Sequence, residues 1–148
     1  MDFEKYMKRA LELAEEASLL DEVPVGCVIT DSDGNIVSEG KNQREGLSDA
    51  TAHAEILAIR EATKTLDRLI LDDCTIFVTL EPCPMCVGAI INSRIGRVVY
   101  GAKEPKSGAC SSVINLFEER LGHKPEIYSG VLAEESAALL SRFFKDKR

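Results

Sequence analysis

Two cysteines two residues apart, in Glu81-Pro82-Cys83-Pro84-Met85-Cys86, constrain this chain more than any other feature. Thiolates at that spacing can grip one zinc ion. Upstream lies Thr51-Ala52-His53-Ala54-Glu55, whose imidazole can supply a third ligand. Three protein ligands leave a tetrahedral ion one open position, the mark of a catalytic site rather than a structural one. Glu55, two residues past His53, then stands where it can handle protons for a water in that position. A Cys-x-x-Cys alone fits a redox pair or a structural zinc knuckle equally well. A lone glutamate in the first turn of a helix needs no role beyond compensating the helix dipole. The two motifs together favour catalysis.

A length of 148 residues suits one domain with a real core, and we expect the whole span 1–148 to form it. No run is long and apolar enough to cross a membrane, and the start, Met1-Asp2-Phe3-Glu4, lacks the apolar segment of a signal peptide. Five cysteines, an odd number, fit a reducing compartment, so the expected location is cytoplasmic. Cys27 and Cys74 lie in apolar, strand-like runs and read as buried small hydrophobes. Net charge is −7, which argues against a nucleic-acid partner. It is unevenly spread: residues 1–81 carry −10 and residues 82–148 carry +3. The cations gather at Arg94, Arg97, Lys103 and Lys106, and again at Arg142, Lys145, Lys147 and Arg148. Such a basic face can dock a polyanion or be an ordinary solvated surface.

Hydrophobic periodicity predicts a helix over 2–20, with Phe3, Met7, Ala10, Leu11, Ala14 and Ala17 on one side. Val23 to Thr30 and Ile36 to Lys41 read as a hairpin around Asp31-Ser32-Asp33-Gly34-Asn35, irregular near Pro24 and Gly26. A loop over 42–50 leads to a helix over 51–65. A strand over 75–80 runs into a nearly all-apolar helix over 84–92, with Pro84 in its first turn. Further elements are a strand over 97–101, a loop over 103–112, a short helix over 113–119, a strand over 126–129 and a helix over 133–144. This alternation is α/β, with an antiparallel pair first and parallel strands after it.

His-x-Glu followed by Pro-Cys-x-x-Cys is the signature of the zinc nucleobase deaminases. Leu80 to Ile90 around it resembles the cytidine deaminase superfamily. The run Ser93-Arg94-Ile95-Gly96-Arg97-Val98-Val99-Tyr100-Gly101-Ala102, with Pro105-Lys106-Ser107-Gly108-Ala109, is similar to the bacterial tRNA-specific adenosine deaminases. So are Glu22 to Gly26, Asn42 to Glu45 and the ending from Gly130 to Phe144, so that the resemblance covers the chain. It implies a cytidine deaminase-like three-layer α/β/α fold with a five-stranded mixed sheet. It implies conversion of adenosine to inosine at the wobble position of a tRNA anticodon, one Zn2+ per subunit, and a homodimer. It implies His53, Cys83 and Cys86 as zinc ligands and Glu55 as proton shuttle. Asn42 and the Ala54 amide would meet the base, with Val25 a pocket wall. Lys106 and Ser107 would touch the RNA backbone, with Phe144, Lys145 and Arg148 near the anticodon loop. Glu104, flanked by lysines, would either accept a hydrogen bond from a ribose 2′-OH or simply pair with a neighbouring lysine. Two other readings stay open. One is a deaminase of a free guanine- or cytosine-type base or nucleoside. The other is a non-catalytic zinc module for RNA, its site closed by Cys27, Cys74 or Cys110.

Overall fold

The computed structural model describes residues 1–147. The element order is α1 (Phe3–Leu19), β1 (Gly26–Thr30), β2 (Ile36–Lys41), α2 (Ala54–Leu66), β3 (Thr75–Leu80), α3 (Pro84–Ser93), β4 (Arg97–Ala102), a 3-10 turn (Leu116–Glu118), β5 (Glu126–Tyr128) and α4 (Ala133–Asp146). Five strands form one sheet in the order β2-β1-β3-β4-β5. β1 runs antiparallel to both β2 and β3, while β3, β4 and β5 run parallel. The sheet is therefore mixed, as the pattern of hairpin followed by helical crossovers predicts.

Helices cover both faces. Tyr6, Met7, Ala10 and Leu13 of α1 pack on Val28, Phe77 and Val99, the side chains that alternate onto one face of β1, β3 and β4. Cys27, Ile29, Ile76, Val78, Val98 and Tyr100 alternate onto the other face, beneath Ala54, Ala58 and Ala62 of α2 and Val87 and Ile90 of α3. β1 is buried along its whole length, which is why it reads as a continuous apolar run. β2, at the edge, alternates instead.

The register of β1 against β2 shifts between Ile29 and Thr30, not near Pro24 and Gly26 as expected; Gly26 serves packing instead. A Cβ there would lie 1.9 Å from the Ala10 carbonyl oxygen, so α1 can cross β1 this closely only over a glycine. Two boundaries differ from expectation for local reasons. The second helix starts at Ala54 rather than Thr51, because the Thr51 amide donates to the Asp49 carboxylate (2.8 Å) and the His53 amide to the Thr51 carbonyl (2.8 Å). The short helix expected over 113–119 shrinks to the turn Leu116–Glu118. The amides of Val113 and Leu116 donate back to Gly108 and Ala109, so that segment is a folded loop.

Across the edge of the sheet, Arg9 of α1 grips Glu39 of β2 with two parallel bonds, Nε to Oε2 (2.6 Å) and an η-nitrogen to Oε1 (2.9 Å). The Arg9 hydrogen bond holds the Glu39 carboxyl below its usual range, against the opposing pull of partial burial. A depressed folded value stabilises the fold above the unfolded carboxylate pKa and loses that contribution as pH falls through the folded value. Glu39→Gln should therefore cost about 0.5–1 kcal/mol at pH 7, given a half-exposed pair, with the difference from wild type vanishing in strong acid. Paired urea titrations across pH test this. An equal deficit at every pH would contradict it.

Candidate active site

The site lies beyond the carboxyl end of β3, where ligands bind in open α/β sheets. Because β1 is antiparallel to β3, its amino end, with Val25, arrives at the same place, and so does Asn42 at the end of β2. α2 and α3 both start there. His53 occupies the N-cap of α2 and Cys83 the N-cap of α3, positions usually held by Ser, Thr, Asp or Asn. Neither side chain caps its own helix, so both remain available as ligands. The first helical amides are dealt with otherwise. Pro84 has none to satisfy, and the Ala54 amide donates to Asn42 Oδ1 (2.9 Å).

His53 Nδ1 lies 3.6 Å from Cys83 Sγ and 3.7 Å from Cys86 Sγ, and the three donor atoms all fall within 4.8 Å of one another. Zinc bonds of about 2.3 Å to sulfur and 2.0–2.1 Å to nitrogen, at a tetrahedral angle, put N and S about 3.6 Å apart. The donors are thus spaced for one zinc ion per chain. Cys27, Cys74 and Cys110 are buried free thiols outside this group. Among the described residues no fourth ligand closes the site, and the closed zinc module loses its support.

Electrostatics fit the same centre. Hydrogen bonding from Cys86, set against burial and reinforced by His53, pulls the Cys83 thiol down to about 4, while the Cys86 thiol moves up as the partner that keeps the proton. Its bond to Cys83 raises His53. Burial drives the Glu55 carboxyl up to about 7, in the first turn of α2. Glu81, also buried, goes the other way. Burial pushes it up, but hydrogen bonds from Ser112 and from the amides of Glu104 and Cys110 outweigh that and hold it below its usual range.

A pocket of about 190 Å3 opens over the donors, lined by Val23, Val25, Asn42, Arg44, His53, Glu55, Leu80, Glu81, Cys83, Glu104 and Ser107. Of the expected contacts, Val25, Asn42, Glu104 and Ser107 are in this wall, while Lys106 is exposed on the same loop. The Ala54 amide is already engaged by Asn42. The Glu104 carboxylate accepts the Lys106 backbone amide (3.0 Å), and among the described residues it makes no ion pair with a lysine. A second hollow of about 520 Å3 shares Val23, Asn42 and Arg44 with the pocket and extends to Phe143, Phe144 and Lys147 of the C-terminal segment. Arg148 lies outside the described residues. Arg44 and Val23 had no role in the sequence reading. Both lie in segments that carry the family resemblance, and Arg44 sits two residues past Asn42, which are the signals that could have found them.

A fold with this sheet order and a His/Cys/Cys centre at two helix starts defines the zinc-dependent nucleobase deaminase class. The family model of the cytidine and deoxycytidylate deaminase zinc-binding region matches residues 1–102. The tRNA-specific adenosine deaminase of Haemophilus influenzae is 49% identical over 98% of this chain and 84% of its own length. A structure solved in a study of A-to-I editing by tRNA:A34 deaminases superposes with a TM-score of 0.89 at 42% identity, over 92% of this chain and 99% of that one. A guanine deaminase from Bacillus subtilis superposes less well, with a TM-score of 0.68 at 36% identity over 99% and 94%. The chain belongs to the family of the tRNA-specific adenosine deaminases.

Removing a donor should empty the centre. Cys86→Ala is expected to carry less than about a tenth of an equivalent of zinc where wild type carries about one, since preorganised ligands bind together. Metal analysis of the purified proteins decides it. Full occupancy in the variant would break the ligand assignment.

Proposed function

We propose that this protein hydrolyses the amine of adenosine to give inosine and ammonia at the wobble position of a tRNA anticodon. One observation carries the choice of a polymeric substrate. The pocket shares Val23, Asn42 and Arg44 with a larger neighbouring hollow walled by Phe143, Phe144 and Lys147. Aromatic faces and cations beside a base pocket suit flanking nucleotides, which a free base does not have. An anticodon loop also offers its base already unpaired, so little energy is spent in extracting it.

His53, Cys83 and Cys86 would hold the zinc ion, which supplies a water activated for attack on the amine-bearing ring carbon. Glu55 is the proton shuttle. A carboxyl brought to about 7 by burial can accept a proton from the attacking water and return protons to the ring nitrogen and the departing amine at neutral pH. Asn42, oriented by the Ala54 amide through its Oδ1, presents its remaining amide group to the base. Ala54 thus acts through Asn42. Val25 and Leu80 give the pocket apolar walls, and Glu104, Lys106 and Ser107 meet the ribose–phosphate chain.

Every element of the described residues joins the same sheet or packs on it, which supports reading the chain as one catalytic domain, and a tRNA substrate would place its work in the cytoplasm. Val113 and Ile114, exposed just past the pocket loop, offer apolar surface for a second copy in a homodimer. Light scattering that returned the mass of one chain would contradict that.

The test is incubation with an anticodon stem-loop bearing adenosine at the first anticodon position, reading inosine. Wild type should convert it, and free adenosine far more slowly. Glu55→Gln should keep its zinc but lose at least about 10²–10⁴-fold in rate, the usual contribution of a general acid–base group. Near-normal turnover by that variant would remove Glu55 from the chemistry. Equal rates on free adenosine and stem-loop would favour a free-nucleoside enzyme.

A further inference from the structure

The Glu81 carboxylate is buried between the metal-binding turn and the loop that walls the pocket. A carboxylate removed from water is costly unless its lone pairs are filled. Here they are filled from one segment only. Oε1 accepts the Glu104 amide (3.1 Å) and the Ser112 hydroxyl. Oε2 accepts the amides of Cys110, Ser111 and Ser112, each at 3.0 Å. One side chain therefore pins both ends of the loop 104–112. Its own backbone is fixed to β4, with the Glu81 amide donating to the Ala102 carbonyl (2.8 Å), and next to it the Pro82 carbonyl accepts the Ala109 amide (2.9 Å). Cys83 follows directly. Glu104 and Ser107, which line the pocket, and Lys106 between them are thus positioned relative to the zinc donors chiefly by this carboxylate, with the Pro82–Ala109 backbone bond beside it.

The loop is shaped to receive it. Gly108 packs so close that a Cβ would lie 2.4 Å from Glu81 Cδ and 2.5 Å from Oε2, with the Glu104 carbonyl 2.6 Å away. No other residue type fits there with the carboxylate in place.

We propose that Glu81 is a positioning residue for substrate: its carboxylate holds the loop 104–112 against the pocket, and so sets how tightly the nucleic-acid substrate is held without taking part in the chemistry. The proposal rests on the reading of the protein as an RNA deaminase for the substrate it names. The anchoring itself rests on the hydrogen bonds alone.

Two variants attack the anchor from opposite sides. Glu81→Gln replaces one acceptor oxygen with an NH2 donor that faces backbone amides. Gly108→Ala leaves every hydrogen-bonding group in the chain but pushes a methyl group into the carboxylate, so it stands in if the first variant does not fold. Amide hydrogen exchange needs no substrate. In either variant it should speed up at least about tenfold at Cys110, Ser111 and Ser112, with α2 and α3 unchanged, since only a local opening has become easier. Zinc should remain at about one per chain. On the stem-loop, KM should rise about tenfold or more with kcat within about threefold, the pattern of lost binding rather than lost transition-state stabilisation. Unchanged exchange in the loop overturns the anchoring. A freed loop with unchanged KM overturns its role in holding substrate. Loss of zinc together with kcat assigns Glu81 to the metal site instead. If wild type itself makes no inosine on the stem-loop, the functional reading fails, and the exchange measurement still decides whether Glu81 holds the loop.

Discussion

The meeting of two helix starts at the carboxyl end of β3 is the constraint on which the rest of the site depends. α2 brings His53, and α3 brings Cys83 and Cys86, so that His53 Nδ1 lies 3.6 Å from one sulfur and 3.7 Å from the other. Both helix dipoles aim their positive ends there, which favours thiolates and any developing negative charge. That convergence needs close helix–sheet packing. A Cβ on Gly40 of β2 would stand 2.2 Å from the Ala54 carbonyl oxygen, just as one on Gly26 would strike α1. Gly40 thus lets α2 lie near enough to the sheet to bring His53 to the cysteines, while Gly26 does the same for α1 on the opposite face.

Three buried glutamates line the pocket and the hollow beside it, and their hydrogen bonding separates their tasks. Glu22 accepts the amides of Glu45 (3.1 Å) and Gly46 (2.7 Å) and so fixes the loop after β2. Glu81 does the same for the loop after β4, with more donors. Glu55 meets no comparable set of loop amides, and burial carries its carboxyl up to about 7, whereas Glu81 is held low. A carboxylate saturated by backbone amides is a fixed anchor. One left near neutrality can exchange protons.

The chemistry was far more legible in the sequence than the scaffolding that places it. His53, Cys83 and Cys86 could be read because metal ligation demands particular side chains at short spacings, and Glu55 because it follows His53 by two residues. The helices and strands could be read because burial imposes periods of 3.6 and 2. The linkage of Glu81 to residues up to 31 positions later could not, because it runs through backbone amides, which every residue but proline carries. The same holds for Asn42 and the Ala54 amide. A base contact could be inferred for Asn42 from resemblance, but not the fact that its oxygen also completes the start of α2. The segment 113–119 misled for the opposite reason. Its composition allows a helix, and non-helical bonds back to Gly108 and Ala109 win.

An open tetrahedral zinc is the feature from which everything catalytic follows, and its coordination shell can be measured directly. X-ray absorption at the zinc edge of the purified protein should resolve two sulfur neighbours at about 2.3 Å and two lighter atoms at about 2.0–2.1 Å, one of them imidazole nitrogen. Removing Cys27, Cys74 or Cys110 should leave that spectrum unchanged. A third or fourth sulfur in the shell would mean a closed structural centre and would contradict catalysis at this site.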